Sequence, residues 1–140
     1  DSCFVADNRG ANGAIVIPEI AEYSGKSYKV TSIGKEAFNK CTELSSVSFP
    51  NSVTSIGEWA FRQCSSLTSL DIKNISRLGW GPFVGCASLT KIVLGDVSLW
   101  DGPTGASQYQ PNAAFSGCEN LETIVFVGTK TIQFSSLVRA

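Results

Sequence analysis

The sequence contains no histidine and no methionine, and only 16% of its 140 residues are charged. Without histidine, the chain lacks the most common general acid–base group and a common metal ligand. A Ser-His-Asp triad cannot be assembled from it, and it has no GxSxG elbow and no phosphate-binding glycine loop. We therefore expect a non-enzymatic protein with no catalytic residue, no metal ligand and no cofactor.

Long hydrophobic runs and blocks of one charge sign are also missing. No stretch approaches the roughly 18 consecutive apolar residues of a membrane span. Eleven Lys and Arg residues stand against 12 Asp and Glu residues, for a net charge of −1. Nucleic-acid binding and polybasic attachment to membranes both need clustered cations. We expect neither a nucleic-acid partner nor direct insertion into a membrane.

What the chain does contain is a phrase that recurs about every 22 residues. Copies begin at Val30, Val53, Ile75 and Val97. Equivalent residues form five columns: Phe38, Phe61, Phe83 and Phe115; Cys41, Cys64, Cys86 and Cys118; Leu44, Leu67, Leu89 and Leu121; Val47, Leu70, Ile92 and Ile124; and Phe49, Ile72, Leu94 and Phe126. Successive phenylalanines are 23, 22 and 32 residues apart, which fits the 20–29 residue period of leucine-rich repeats plus one insertion.

The columns predict a repeat solenoid of the leucine-rich type, mainly β with short helical or 3₁₀ turns. In the phrase LxxVxF, strand alternation turns Val47 and Phe49 inward and their neighbours outward. Stacked copies would form a parallel strand ladder over a continuous core. The VTSIG phrase predicts a second short strand, whose Gly34 or Gly57 we expect to permit a turn.

The same pattern predicts the domain organisation. Residues 1–29 are expected to form an N-terminal cap, in which Ile15–Pro18 and Lys26–Val30 are strands of a hairpin around YSG. About four repeats follow over residues 30–127, at 30–52, 53–74, 75–96 and 97–127, the last carrying an insertion at 100–112. Residues 128–140 are interpreted as a partial repeat or a C-terminal tail.

The phrase VTSIGxxAFxxCxxLxxVxFP resembles the repeat of the BspA-like leucine-rich family, and the first two copies match it almost position for position. The third copy departs from it at Trp80–Pro82 and the fourth is interrupted. The resemblance covers residues 15–127. It implies a secreted or cell-surface protein similar to adhesins that contact host matrix or plasma glycoproteins. This implication rests on likeness of fold and not on any binding-site residue.

Four of the five cysteines share one repeat column, which leaves two interpretations. No CxxC and no histidine accompany them, so zinc-ligand spacing is absent. Because free cysteine packs well as a small hydrophobe, buried reduced thiols are favoured over disulfides between neighbouring coils. Cys3 is the odd one and is expected to be free or paired with another chain. Scattered carboxylates such as Glu36 and Glu58 are expected to be solvated; a glycosidase-type pair is the weaker alternative.

Two regions are candidates for recognition. The first is the outward side of the LxxVxF strands, here called the ladder face, and extended solenoid faces of this kind bind partners. Its candidate residues are Ser46, Ser48, Ser69, Asp71, Lys73, Lys91, Val93, Thr123 and Val125. The second is the insertion, where Asp101 and Tyr109 are expected to be exposed. The residues of the ladder face are equally compatible with an ordinary β-sheet surface that binds no partner.

The leading hypothesis is a binding or adhesion module outside the cell or on its surface. Its expected partners are host matrix or plasma glycoproteins or another surface protein, bound through the ladder face and the insertion. The alternative is a structural spacer within a longer surface solenoid, motivated by the apolar Phe134 and Leu137 near the C-terminus.

Overall fold

The computed structural model describes residues 1–97, 99–100 and 114–129, and of 99–100 only the backbone. Eleven strands lie in this described part: β1 (Ser2–Val5), β2 (Gly13–Val16), β3 (Ile20–Tyr23), β4 (Lys26–Ile33), β5 (Leu44–Ser48), β6 (Ser55–Ile56), β7 (Ser69–Ile72), β8 (Arg77–Leu78), β9 (Lys91–Leu94), β10 (Leu99–Trp100) and β11 (Thr123–Phe126). The insertion at 101–112, with Asp101 and Tyr109, and the tail with Phe134 and Leu137 lie outside the described residues.

The VTSIG-type segments form one sheet. Strands β1, β4, β6, β8 and β10 are parallel neighbours in that order, and β3 pairs antiparallel with β4. The register pairs Ile33 with Ile56, Ile56 with Leu78, and Leu78 with Trp100. Ile33, Ile56 and Leu78 are fully buried because the same face of each coil turns toward the core. The predicted repeat alignment is therefore confirmed by strand register.

Three glycines end the VTSIG-type strands, where neighbouring backbones come closest. A Cβ on Gly34 would lie 2.8 Å from the carbonyl oxygen of Val5, and one on Gly57 would lie 2.7 Å from the amide nitrogen of Lys35. Gly79 is enclosed by backbone in the same way. None of the three has a positive φ. The expected turn is therefore not their reason; they allow successive coils to touch.

The segment after each of these glycines is a series of tight turns. Amide-to-carbonyl hydrogen bonds three residues apart join Ala37 to Gly34, and Cys41 to Phe38. Glu36 and Lys40, the third residues of these turns, have positive φ, which is the geometry of type II β-turns rather than of a 3₁₀ helix. Among the described residues, 3₁₀ geometry occurs at 114–115. Bonds to the next coil, such as the amide of Phe38 to the carbonyl of Ala60 at 2.7 Å, satisfy the remaining backbone groups.

The phenylalanine column forms the centre of the core. Phe38, Phe61 and Phe83 are completely buried, and Phe115 is nearly so. Neighbouring rings stack with centroids 5.0, 5.8 and 5.5 Å apart and interplanar angles of 15° or less. Each ring thus fills the space between those of adjacent coils, within the range of offset stacking.

The N-terminal segment differs from the prediction in its pairing. A hairpin does form around Ser24 and Gly25, both at positive φ, but its first strand is β3. The predicted Ile15 strand instead runs parallel to β5, and β1 runs parallel to β4. Residues 2–16 therefore contribute β1 to the sheet that contains β4 and β2 to the sheet that contains β5, as a repeat coil does. Burial of Ile17 against the core accounts for this placement.

Candidate functional site

The ladder face is built by three strands in register. Strands β7, β9 and β11 are parallel neighbours, and their inward residues, such as Leu70 and Ile92, are buried. Outward residues consequently line up across the strands in two rows. These rows are Ser69, Lys91 and Thr123, all exposed, and Asp71, Val93 and Val125, of which the two valines are half-buried. Lys73 follows β7 and is exposed.

The ladder is interrupted before β7, where the columns predict it to be continuous. Strand β5 carries Ser46 and Ser48 and pairs with β2 rather than with β7. A bond from the amide of Thr68 to the carbonyl of Ser45, 3.4 Å long, joins the two coils where these strands begin. Farther along, Pro50 has no amide hydrogen to continue the pairing. Ser46 and Ser48 thus lie beside the three-stranded ladder without belonging to it.

A groove of about 230 Å³ occupies this interruption. Apolar side chains and a polar rim line it together: Val47, Phe49, Ile72 and Ile75, with Ser48, Asn51, Asp71, Lys73 and Asn74. A hydrogen bond of 2.7 Å from Asn74 Nδ2 to Asn51 Oδ1 ties the two coils beside it. The groove therefore brings the predicted residue Ser48 together with Asp71 and Lys73, which lie more than twenty positions farther along the sequence.

An ion pair crosses part of the groove rim. Lys73 Nζ lies 3.1 Å from Asp71 Oδ2, and the backbone amide of Lys73 also donates to Asp71 Oδ1. Both side chains are about half exposed, so solvent screens the attraction and the pair contributes little to folding. Its two charged groups thus remain accessible to a partner.

The cysteine column is a set of free thiols held by hydrogen bonds. All five cysteines are unpaired, and three are buried. Each column member donates to a backbone carbonyl of the preceding coil: Cys41 to Asn8, Cys64 to Phe38, Cys86 to Phe61 and Cys118 to Phe83, at 3.1–3.3 Å. The structure has reduced thiols in this column, as the favoured interpretation expects. Each thiol also provides a hydrogen bond to a backbone carbonyl oxygen.

Ionisation is suppressed at three thiols of this column, whereas the hydrogen bond with Cys86 lowers the pKa of the Cys118 thiol. Burial raises the pKa of the Cys41 thiol, and raises that of Cys64 to about 12. The pKa of Cys86 is raised by its hydrogen bond with Cys118 and by burial. Because the thiolate is the reactive form, these three groups are expected to be inert at neutral pH.

A thiol titration without reductant tests this assignment. We expect the native protein to react slowly at its buried cysteines, and the denatured protein to release close to five reactive thiols, matching its five free cysteines. An accessible-thiol reagent followed at 412 nm or by intact mass measures both. A denatured count near one would mean that the column is tied in disulfides.

A second cluster, which the repeat columns do not predict, lies on the turns. Trp59 and Trp80 are half-buried with ring centroids 5.3 Å apart, and Lys35 and Arg62 lie over the Trp59 ring. We call these four residues the tryptophan cluster. One sequence feature points to this cluster: the second and third repeats each carry a tryptophan in the turn segment, whereas the first repeat carries none there.

Comparison with known families decides the classification. The BspA-type leucine-rich repeat region matches residues 22–137 in six copies. The chain belongs to the BspA-type leucine-rich repeat family. The match counts six copies over this stretch. The division into about four repeats over residues 30–127 remains a prediction from the sequence columns. No curated protein matches the sequence.

Solved structures share the fold of this BspA-type chain. A leucine-rich repeat protein from Bacteroides capillosus has a TM-score of 0.64 at 27% identity, over 82% of this chain and 77% of that one. A leucine rich cell surface protein from Faecalibacterium prausnitzii has a TM-score of 0.61 at 22% identity, over 89% of this chain and 34% of that one. The T. pallidum leucine-rich repeat protein gives 0.53 at 20%, over 91% and 76%. This chain thus spans about a third of the Faecalibacterium protein's length, and the predicted leucine-rich fold class is confirmed.

Two further properties concern only the part of the chain that the structure describes. There, no helix has the length and apolar character needed to cross a membrane. Nor do three or more His, Cys, Asp or Glu side chains within residues 1–97 and 114–129 group closely enough to hold a metal ion.

Proposed function

We propose that this BspA-type chain is a non-enzymatic protein-binding module of a secreted or cell-surface protein. Its partners are host matrix or plasma glycoproteins, or another surface protein, and the ladder face and the insertion bind them. Family membership and the likeness to a cell surface protein support the location. The ladder face is the feature on which the proposal rests.

One observation carries the proposal: the outward rows of β7, β9 and β11 are in register. The pairing sets Asp71 beside Val93 and Val93 beside Val125, with neighbouring strands about 4.8 Å apart. A rigid sheet thereby presents an acid, a base and half-buried aliphatic groups at fixed spacing. A preorganised surface of this kind loses little conformational entropy when a partner binds.

The groove beside β7 adds a place for one partner side chain. Its volume of about 230 Å³ suits a single large side chain. The half-buried Phe49 offers an apolar wall to such a group, and the rim at Asp71 and Lys73 offers charged hydrogen-bonding groups. Binding hot spots combine an anchor in a pocket with a polar surround in this manner. We infer that partners contribute one aromatic or branched aliphatic anchor.

Binding of the purified chain to a panel of host matrix and plasma glycoproteins at physiological salt tests the proposal. We expect saturable binding to at least one panel protein. Replacing Asp71, Lys91 and Val93 together by alanine should weaken it by about tenfold or more, since these three occupy the centre of the ladder face. Surface plasmon resonance measures both.

Each other outcome has a defined meaning. Full binding by the triple variant would contradict the ladder face as the site; a variant with Asp101→Ala and Tyr109→Ala would then test the insertion. No saturable binding to any panel protein would overturn the proposal and favour the spacer role.

A further inference from the structure

The tryptophan cluster explains why the third repeat departs from the family phrase. Gly81 and Pro82 stand where the second repeat has Trp59 and Ala60. A Cβ on Gly81 would meet Trp59 Cδ1 at 3.2 Å and Trp59 Nε1 at 3.4 Å. The missing side chain of Gly81 therefore leaves room for the Trp59 indole, which lies against it and against Trp80. The departure from the family phrase and the half-buried tryptophan pair therefore belong to one local arrangement.

The backbone at Trp59 is unusual for so large a residue. Trp59 has φ of 53°, in the left-handed region, and its equivalent Gly81 has φ of 55°. Glycine takes this conformation freely, whereas bulky side chains are uncommon there. The same conformation occurs at the equivalent Glu36 of the first repeat, where φ is 56°, so it belongs to the repeat turn. Glycine suits this turn position better than tryptophan does, and the proposal rests on what surrounds the Trp59 indole.

Within the described part of the chain, Arg62 lies over the Trp59 ring without an anionic partner. Its guanidinium carbon lies 5.5 Å from the Trp59 ring centroid, and Lys35 Nζ lies 5.6 Å from the same centroid. Lys35 is paired with Glu58 at 3.0 Å. Among residues 1–97 and 114–129, no ion pair includes Arg62. At this distance the guanidinium is within cation–π range of the ring, and its planar set of donors can still bind a carboxylate.

We propose that the tryptophan cluster is a second binding site, which takes a carboxylate side chain of a protein partner through Arg62. A guanidinium and a carboxylate form two parallel charge-assisted hydrogen bonds, and Trp and Arg are enriched at protein hot spots. The two cations lie over the Trp59 ring, so that ring is not free to stack a sugar. This site is independent of the ladder face, because it lies on the turns rather than on β7, β9 and β11.

Titration with a short glutamate-rich peptide tests the inference, with tryptophan fluorescence and calorimetry as readouts. We expect saturable binding that weakens as salt is raised, and no binding of the glutamine counterpart. Arg62→Gln should weaken binding about tenfold or more, because the amide keeps a donor but loses the charge and the two-pronged geometry. Lys26→Gln makes the same charge change on the exposed N-terminal hairpin, away from both proposed sites, and should leave binding unchanged.

Trp59→Gly separates binding from folding. Glycine suits the left-handed backbone, so we expect the variant to stay folded by circular dichroism and to bind the peptide as weakly as Arg62→Gln. Glu36→Gly makes the same kind of change at the equivalent turn of the first repeat, where φ is 56°, and should retain binding.

Three results would overturn the inference. They are no saturable binding of the glutamate-rich peptide by the native chain, undiminished binding by Arg62→Gln, and binding of hyaluronan oligosaccharides through Arg62 in place of the peptide. Should Trp59→Gly fail to fold, the Arg62→Gln result still decides.

Discussion

Phe61→Ala is expected to lower the free energy of unfolding by about 3–5 kcal/mol. Phe61 is completely buried, with the Phe38 ring 5.0 Å away on one side and the Phe83 ring 5.8 Å away on the other. Phe49 meets it edge-on at 5.9 Å. The cavity would thus open between two coils at once, and the strands on both sides cannot collapse into it without leaving register. Urea unfolding followed by circular dichroism measures the change.

Two variants bracket this expectation. Phe61→Leu preserves most of the apolar volume and should cost less than about 1.5 kcal/mol. Phe4→Ala makes the same chemical change at a side chain that is 63% exposed, and should cost within about 1 kcal/mol. A loss below about 1 kcal/mol for Phe61→Ala would contradict the continuous phenylalanine column.

Gly57→Ala is the second change with a large expected effect, although it adds only one methyl group. That carbon would lie 2.7 Å from the Lys35 amide nitrogen and 2.8 Å from the Gly34 carbonyl carbon. Both are backbone atoms of the preceding coil, which cannot move aside as a flexible side chain can. We expect a loss of about 1–3 kcal/mol or more in the free energy of unfolding, since neighbouring coils must separate.

Gly10→Ala is the matched control for this variant. Nothing lies within 4 Å of a Cβ built at Gly10, and its φ is not positive. Alanine there should be neutral or slightly stabilising, because it restricts the unfolded chain. Equal thermal unfolding midpoints for Gly57→Ala and the native protein would show that close approach of coils is not the reason for the glycine.

The columns of the repeat could be predicted from the sequence because each is set by local rules. Phe61, Cys64 and Leu67 recur at one spacing in successive copies, and any fold that buries one must bury its equivalents. Strand alternation likewise separates Leu70 from Asp71 without further knowledge. These residues are also where prediction and structure agree most closely.

What the sequence did not reveal depends on contacts between coils. The pairing of the Ile15 strand with β5 is decided by the packing of Ile17, and the interruption between β5 and β7 by how two whole coils diverge after Ser45 and Thr68. The alternation pattern is satisfied in either arrangement. The spacing of Trp59 and Arg62 in the sequence does not predict their cation–π contact either, since that contact depends on the left-handed backbone at Trp59.

The two candidate surfaces differ in how far the sequence predicts them. The predicted rows across β7, β9 and β11 follow from alternation and register, so their geometry could be anticipated. The groove could not, because it lies where β5 and β7 do not pair, and the alternation pattern does not reveal that interruption. The ladder face therefore follows from the regular repeat, whereas the groove arises where the repeat is interrupted.

The central claim is that the ladder face binds protein partners, and side-by-side affinities of two triple variants test it most directly. One variant carries Asp71→Ala, Lys91→Ala and Val93→Ala. The other removes an acid, a base and an aliphatic group from the exposed hairpin, through Glu22→Ala, Lys26→Ala and Ile20→Ala. With a panel protein that the native chain binds, the account predicts a loss of about tenfold or more for the first variant and less than about twofold for the second. Equal affinities for the two variants would contradict it.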